Sequence, residues 1–194
     1  MLRRLVAVFL FAISSLACAD ALDISLSNSV AQFKFSKTSG LAGKSDLFAS
    51  VMYNDVNSVL GEAGLLVVNE ESRAPGLSIG VGAKAVGGTL NKLVINNAVI
   101  NRTMVSAVAL GAQLRYEVPA DRRFAFAGEY HYAPKIICFG DTERYTQAAV
   151  RAEFAVSPLV QAYVGFRSTT FFIVNTNERG VLDNGVHLGV RLSF

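Results

Sequence analysis

The chain of 194 residues has no tryptophan, two histidines and two cysteines, and one cysteine, Cys18, lies in the N-terminal leader. Cys138 is therefore alone in the mature chain, and no intramolecular disulfide can form. With only His131 and His187 available, a Ser-His-acid triad has few ways to assemble. Beyond the leader no run approaches the roughly 18 apolar residues of a spanning helix, although 52% of the chain is hydrophobic. Charge is scarce as well. Arg3 and Arg4 leave with the leader, so the formal +3 falls to about +1, too little for a nucleic-acid partner.

The leader has a basic start at Arg3 and Arg4, an apolar core from Leu5 to Leu16 and small residues around Ala19 and Ala21. That is a secretory signal over residues 1–21, cleaved after Ala19 or Ala21, with the mature domain at 22–194. Reading Cys18 as a lipidated first residue fits less well, because Ser15 stands where lipid-attachment sites usually place leucine.

Oiliness without a membrane helix comes from alternation. In the last ten residues Val186, Leu188, Val190, Leu192 and Phe194 fall on one strand face, and His187, Gly189, Arg191 and Ser193 on the other. A strand in lipid, with an aromatic at the interface and a polar face toward the lumen, has this pattern. The five apolar residues also make an assembly signal for the barrel assembly machinery, with periplasmic chaperones as earlier partners. Alternating segments recur at 45–54, 75–86, 104–118, 122–132, 142–156 and 159–172, while 58–69 is apolar nearly throughout.

At the N-terminus Leu22, Ile24 and Leu26 lie on the opposite parity to Phe33 and Phe35. A two-residue turn at Asn28-Ser29 repairs this by pairing Leu26 with Ala31, Ile24 with Phe33 and Leu22 with Phe35, and setting Asp23 opposite Lys34. The count becomes ten strands, with eight as the alternative, in an all-β, antiparallel up-and-down transmembrane barrel of the bacterial outer membrane. With the C-terminus in the periplasm, the short connections 119–121 and 157–158 are periplasmic, and the longer 87–103, 133–141 and 173–184 are extracellular. Aromatics then gather at two rims: Tyr116, Phe124, Phe154 and Phe194 at one, Tyr53, Tyr130, Tyr132 and Phe171 at the other. A soluble lipocalin-like barrel would need the apolar face inward, and the early Gly-x-Trp of lipocalins is missing.

The inward face carries Lys84, Arg115, Glu117, Arg123, Glu129, His131, Arg151, Glu153, Arg167 and Arg191 as lumen-lining charged residues. Five arginines against three glutamates lean basic and imply weak anion preference if water passes. Glu129 and His131, two apart on one face, could be a base and its orienter, but a polar lumen pair is the plainer reading. Asp141, Glu143 and Asp183 read as solvated loop acids, and Cys138 as a loop thiol or one packed with Ile136, Ile137 and Phe139. The stretch Gly80-Val81-Gly82-Ala83-Lys84 lacks the end of a phosphate loop and reads as small inward residues. No catalytic, metal or cofactor site is expected.

Several segments carry a family likeness: Gly111–Tyr116 followed by Pro119, Glu129–Pro134, Tyr145, Glu153–Pro158, Tyr163–Arg167 and Leu182–Gly185. On these the chain resembles the YfaZ family of outer-membrane proteins. The resemblance implies an outer-membrane barrel and brings no catalytic motif. The expected function is a small structural envelope component or narrow pore in contact with outer-membrane lipid. The alternatives are a binding or adhesion module acting through the long loops and, less so, an outer-membrane enzyme. Leu93, Val94, Ile95, Val99 and Ile100 make the 87–103 loop unusually apolar, suited to a plug or a docking patch.

Overall fold

The first hairpin sets the pattern for the rest. Ala21–Ser27 (β1) and Val30–Ser39 (β2) pair antiparallel across Asn28-Ser29, with Leu26 opposite Ala31, Ile24 opposite Phe33, Leu22 opposite Phe35 and Asp23 opposite Lys34. This is the register that parity alone predicts. The computed structural model describes residues 20–39, 45–69, 75–91, 93–95, 98–100, 103–174 and 179–194, so all but the last two residues of the signal expected over 1–21 lie outside the described residues.

The chain continues through Ser45–Asn54 (β3), Val59–Asn69 (β4) and Leu77–Leu90 (β5). A small hairpin of Leu93–Ile95 (β6) and Ala98–Ile100 (β7) follows, then Thr103–Glu117 (β8) and Phe124–Ala133 (β9). A 3-10 turn at Lys135–Ile137 leads into the short Cys138–Gly140 (β10), and Thr142–Ser157 (β11), Val160–Ile173 (β12) and Arg179–Ser193 (β13) complete the chain. Pairing runs β1 to β5 in order, then β8, β9, β11, β12 and β13, and β13 returns to β1. That closed circuit has ten strands, not eight.

Alternation decides the faces. Phe33, Val51, Ile79, Val81, Leu110, Leu114, Phe126, Val150, Val164, Val186 and Leu188 are exposed on the outer wall, while Lys84, Gln147, Glu153 and Arg167 are buried within. An apolar outside around a polar inside is the arrangement lipid imposes. Tyr53, Tyr130 and Tyr132 do reach the outer surface near the end away from the termini, but Phe171 does not. Phe171 continues the inward parity of Tyr163, Arg167 and Thr169 on β12 and is wholly buried inside the barrel.

Connection lengths differ less between the two ends than the sequence suggests. The end away from the termini has turns as short as 28–29 and 55–58, and the 173–184 loop shrinks because β13 begins at Arg179. The apolar run at 93–100 forms the β6–β7 backbone hairpin, and its side chains lie outside the described residues.

Candidate functional site: the barrel interior

The interior is built in two layers. Nearer the termini it is ionic. Arg115 bonds Glu153 at 2.9 Å and also pairs with Glu117, while Arg151 bonds the other Glu153 oxygen at 2.6 Å. Arg151 also faces Asp23 at 4.0 Å, and the Tyr163 hydroxyl donates to Asp23. One carboxylate clamped by two guanidiniums is a charge-assisted network, which satisfies groups that would otherwise be costly to bury.

Above this, side chains hold each other in a belt. Arg167 bonds Asp183 at 2.7 Å and Gln32, while Ser27 donates to the second Asp183 oxygen at 3.1 Å. Gln32 reaches Ser50 at 3.5 Å, and Ser50 donates to Glu62 at 3.0 Å. Glu62 accepts from Lys84 at 2.9 Å and from the Tyr145 hydroxyl at 3.1 Å. Lys84 also donates to Gln147, on a strand three places further round the barrel, and Gln147 in turn donates to Thr169 at 3.4 Å. The belt therefore crosses the lumen as well as following its wall.

Beyond the belt the interior turns apolar. Val30, Met52, Leu60, Val86, Leu90, Val105, Ala107, Ala109, Ala133, Tyr145, Phe171, Ile173 and Leu182 form one buried cluster, with Tyr145 and Phe171 ring centroids 4.8 Å apart. Cys138 joins its margin with Ile137, its thiol 3.5 Å from the Ala133 carbonyl and pushed up in pKa by burial. Ile136 and Phe139 stay exposed.

Of the sequence-derived lumen residues, Lys84, Arg115, Arg151, Glu153 and Arg167 enter the networks above, and Glu117 sits at their open margin with its side chain 41% exposed. Glu129, His131 and Arg191 line a cavity of about 50 Å³ with Asp23 and Lys34, and an adjoining cavity of about 30 Å³ adds Gln32, Tyr163 and His187. Spaces of that size hold a few waters. His131 Nδ1 and His187 Nδ1 are buried without a hydrogen-bond partner among the described residues. Glycine makes room for these rings: a Cβ at Gly111 would meet His131 at 2.3 Å, and one at Gly189 would meet Tyr163 at 2.2 Å.

Arg123 is a correction. It lies in the 118–123 turn, exposed and paired with Asp121 at 3.0 Å, because β9 begins only at Phe124. Asp183 is another, since it is an interior partner of Arg167 rather than a solvated loop acid. Five further charged residues face the interior: Asp23, Lys34, Asp46, Glu62 and Asp183. With them counted and Arg123 removed, Lys34, Lys84, Arg115, Arg151, Arg167 and Arg191 face Asp23, Asp46, Glu62, Glu117, Glu129, Glu153 and Asp183. The basic excess disappears.

Residues 12–194 match the family described as YfaZ precursor. The chain belongs to that family. Its address is the outer membrane, and it is a small barrel of that membrane. No curated protein matches it in sequence. Among solved structures it is similar to the outer membrane channel DcaP of Acinetobacter baumannii, with 14% identity over 89% of this chain and a TM-score of 0.43. It spans about half of that channel, 54% of its length. A KdgM porin matches at 13% identity over 90% of this chain and 98% of its own, with a TM-score of 0.43. The outer membrane protease OmpT of Escherichia coli matches at 11% over 91% and 94%, with a TM-score of 0.49.

Proposed function

We propose that this YfaZ-family protein is a non-conducting barrel, a structural component of the outer membrane rather than a pore or an enzyme. The observation that carries this reading is the apolar layer closed over the belt, where Met52, Leu60, Tyr145 and Phe171 are wholly buried inside the barrel. Water and ions crossing the lumen would have to part this layer and break the Lys84–Glu62–Gln147 link beneath it. Six interior cations against seven carboxylates also leave no basis for anion preference.

Planar-bilayer recording tests it. The mature protein should give no steady conductance, while a Tyr145→Ala, Phe171→Ala double variant should open measurable steps. Steady wild-type conductance would overturn the reading in favour of a narrow pore. A binding module is favoured by one observation, the exposure of Ile136 and Phe139 at 87% and 56% beside β10. Ile136→Asp with Phe139→Asp should abolish any adhesion the wild type shows, and a wild type without adhesion removes that reading.

Two features bear on biogenesis. Asp20 accepts from the Phe194 backbone at 2.9 Å and Ala21 opens β1, which supports cleavage after Ala19 rather than Ala21. Phe194 is 69% exposed at the end of the Val186–Leu192 stripe, which suits a recognition tag for the assembly machinery. Deleting Phe194 should lower outer-membrane levels in cells and leave folding into detergent almost unchanged. Normal levels in the deletion strain would remove the tag.

A further inference from the structure

Outside the barrel, at the end away from the termini, three neighbouring strands align Arg144 of β11 opposite Phe172 of β12, and Phe172 opposite Arg179 of β13. Directly opposed residues share a face. That face is the outer one, because the next residue, Phe171, points inward and is wholly buried. The Arg144 guanidinium lies 3.8 Å from the Phe172 ring centroid, and Arg179 is steadied by Thr170 at 3.2 Å. A pocket of about 300 Å³ adjoins this row, lined by Tyr132, Lys135, Glu143, Arg144 and Phe172. Lys135 is engaged by Glu143 at 3.2 Å, and neither arginine has a carboxylate within ion-pair distance among the described residues.

We propose that this row binds the phosphate-bearing headgroup of an outer-leaflet glycolipid. The inference rests on the outer-membrane address and does not depend on whether the barrel conducts. Arginine forks match phosphate oxygens two at a time, and a ring beneath one guanidinium strips water from it and fixes its plane. Adjacent strands are about 4.8 Å apart, so the arginine backbones stand roughly 10 Å apart across Phe172, wide enough to straddle a sugar phosphate. Location selects a lipid over a soluble anion. Tyr130 and Tyr132 mark the interface just below, and under them Val150, Val164 and Phe166 offer an exposed apolar wall along which acyl chains can run.

The test uses the full mature chain folded in detergent, with native mass spectrometry reading bound lipid. The probes are a diphosphorylated lipid A, its dephosphorylated form, phosphatidylglycerol and inorganic phosphate. The wild type should bind the diphosphorylated lipid at least tenfold more tightly than the dephosphorylated form or phosphatidylglycerol, and inorganic phosphate should not compete. Arg144→Ala with Arg179→Ala should lose that preference while keeping the heat-modifiable mobility of a closed barrel. Arg144→Lys with Arg179→Lys, which keeps charge without the fork, should fall between. Equal binding by wild type and the alanine pair, or equal binding of phosphatidylglycerol, would overturn the proposal, as would competition by free phosphate. If the alanine pair fails to fold, Arg144→Gln alone decides, with loss of preference supporting the site and retention sinking it. Conductance should be the same in every variant, so a pore discovered in the wild type leaves this result standing.

Discussion

The two layers of the barrel interior face the same strands and close the same space by different physics. Near the termini, Arg115, Arg151, Glu153 and Asp23 share charges through directional contacts and leave small polar-lined cavities between them. Toward the other end, Met52, Leu60, Tyr145 and Phe171 fill the lumen by volume. Directional pairing tolerates gaps that water can enter, but one missing partner strands a charge. Apolar packing tolerates no gap, yet each lost group costs only its own contacts and cavity. The Glu62–Lys84–Tyr145 junction belongs to both, since Tyr145 carries its ring into the apolar layer and its hydroxyl into the belt.

That contrast can be broken most severely at the junction. Glu62→Ala should cost about 3–5 kcal/mol in urea unfolding from detergent, because Lys84 is left buried and unpaired. Adding Lys84→Met should recover much of the loss. Phe171→Ala should cost about 3–5 kcal/mol by cavity formation, and a second truncation at Tyr145 should deepen the loss instead of repairing it. If the two pairs respond alike, the layers are not physically distinct.

Next comes the contrast between inside and outside. Val108→Arg, Leu110→Arg or Val164→Arg should each cost about 2–4 kcal/mol, since each sets a charge against lipid. Gln113→Arg, facing the lumen opposite Glu129, should cost clearly less. Equal damage on both faces would reverse the assignment. The smallest effect belongs to the exposed turn. Arg123→Ala should leave stability unchanged within error, because its bond to Asp121 is open to water and screened. A clear loss there would mean that Arg123 reaches the lumen after all.

Where polarity alternates strictly, the fold was legible in the residues. The register of β1 against β2, the outer stripe of β13 and the inward run of β11 all follow from parity. It failed where one face stopped predicting the other. In β4, Leu60 and Leu66 point into the barrel while Val59 is exposed outside, so Glu62 has no alternating frame to reveal its role. The whole apolar layer is hidden for the same reason, because an inward face is assumed to be polar. Asp183 and Phe171 were misread for a different cause. Phe171 keeps the inward parity of Tyr163, Arg167 and Thr169 on β12, and Asp183 keeps that of His187 and Arg191 on β13. Strict alternation therefore puts both inside, and a rim at Phe171 and a loop over 173–184 broke it. The charge balance went astray through these same residues.

The seam between the first and last strands carries one more consequence. β1 and β13 pair over seven residues, from Ala21–Ser193 to Ser27–His187. Inside the wall, Ser27 and Asp183, Tyr163 and Asp23, and Arg167 and Gln32 stitch the same junction with side chains from both ends of the chain. A barrel that released a hydrophobic cargo sideways into the bilayer would part its wall where the fewest bonds hold it. Here, parting the junction between first and last strands would tear both a backbone ladder and an internal suture, exposing unpaired polar groups to hydrocarbon. The closing junction is thus a poor doorway.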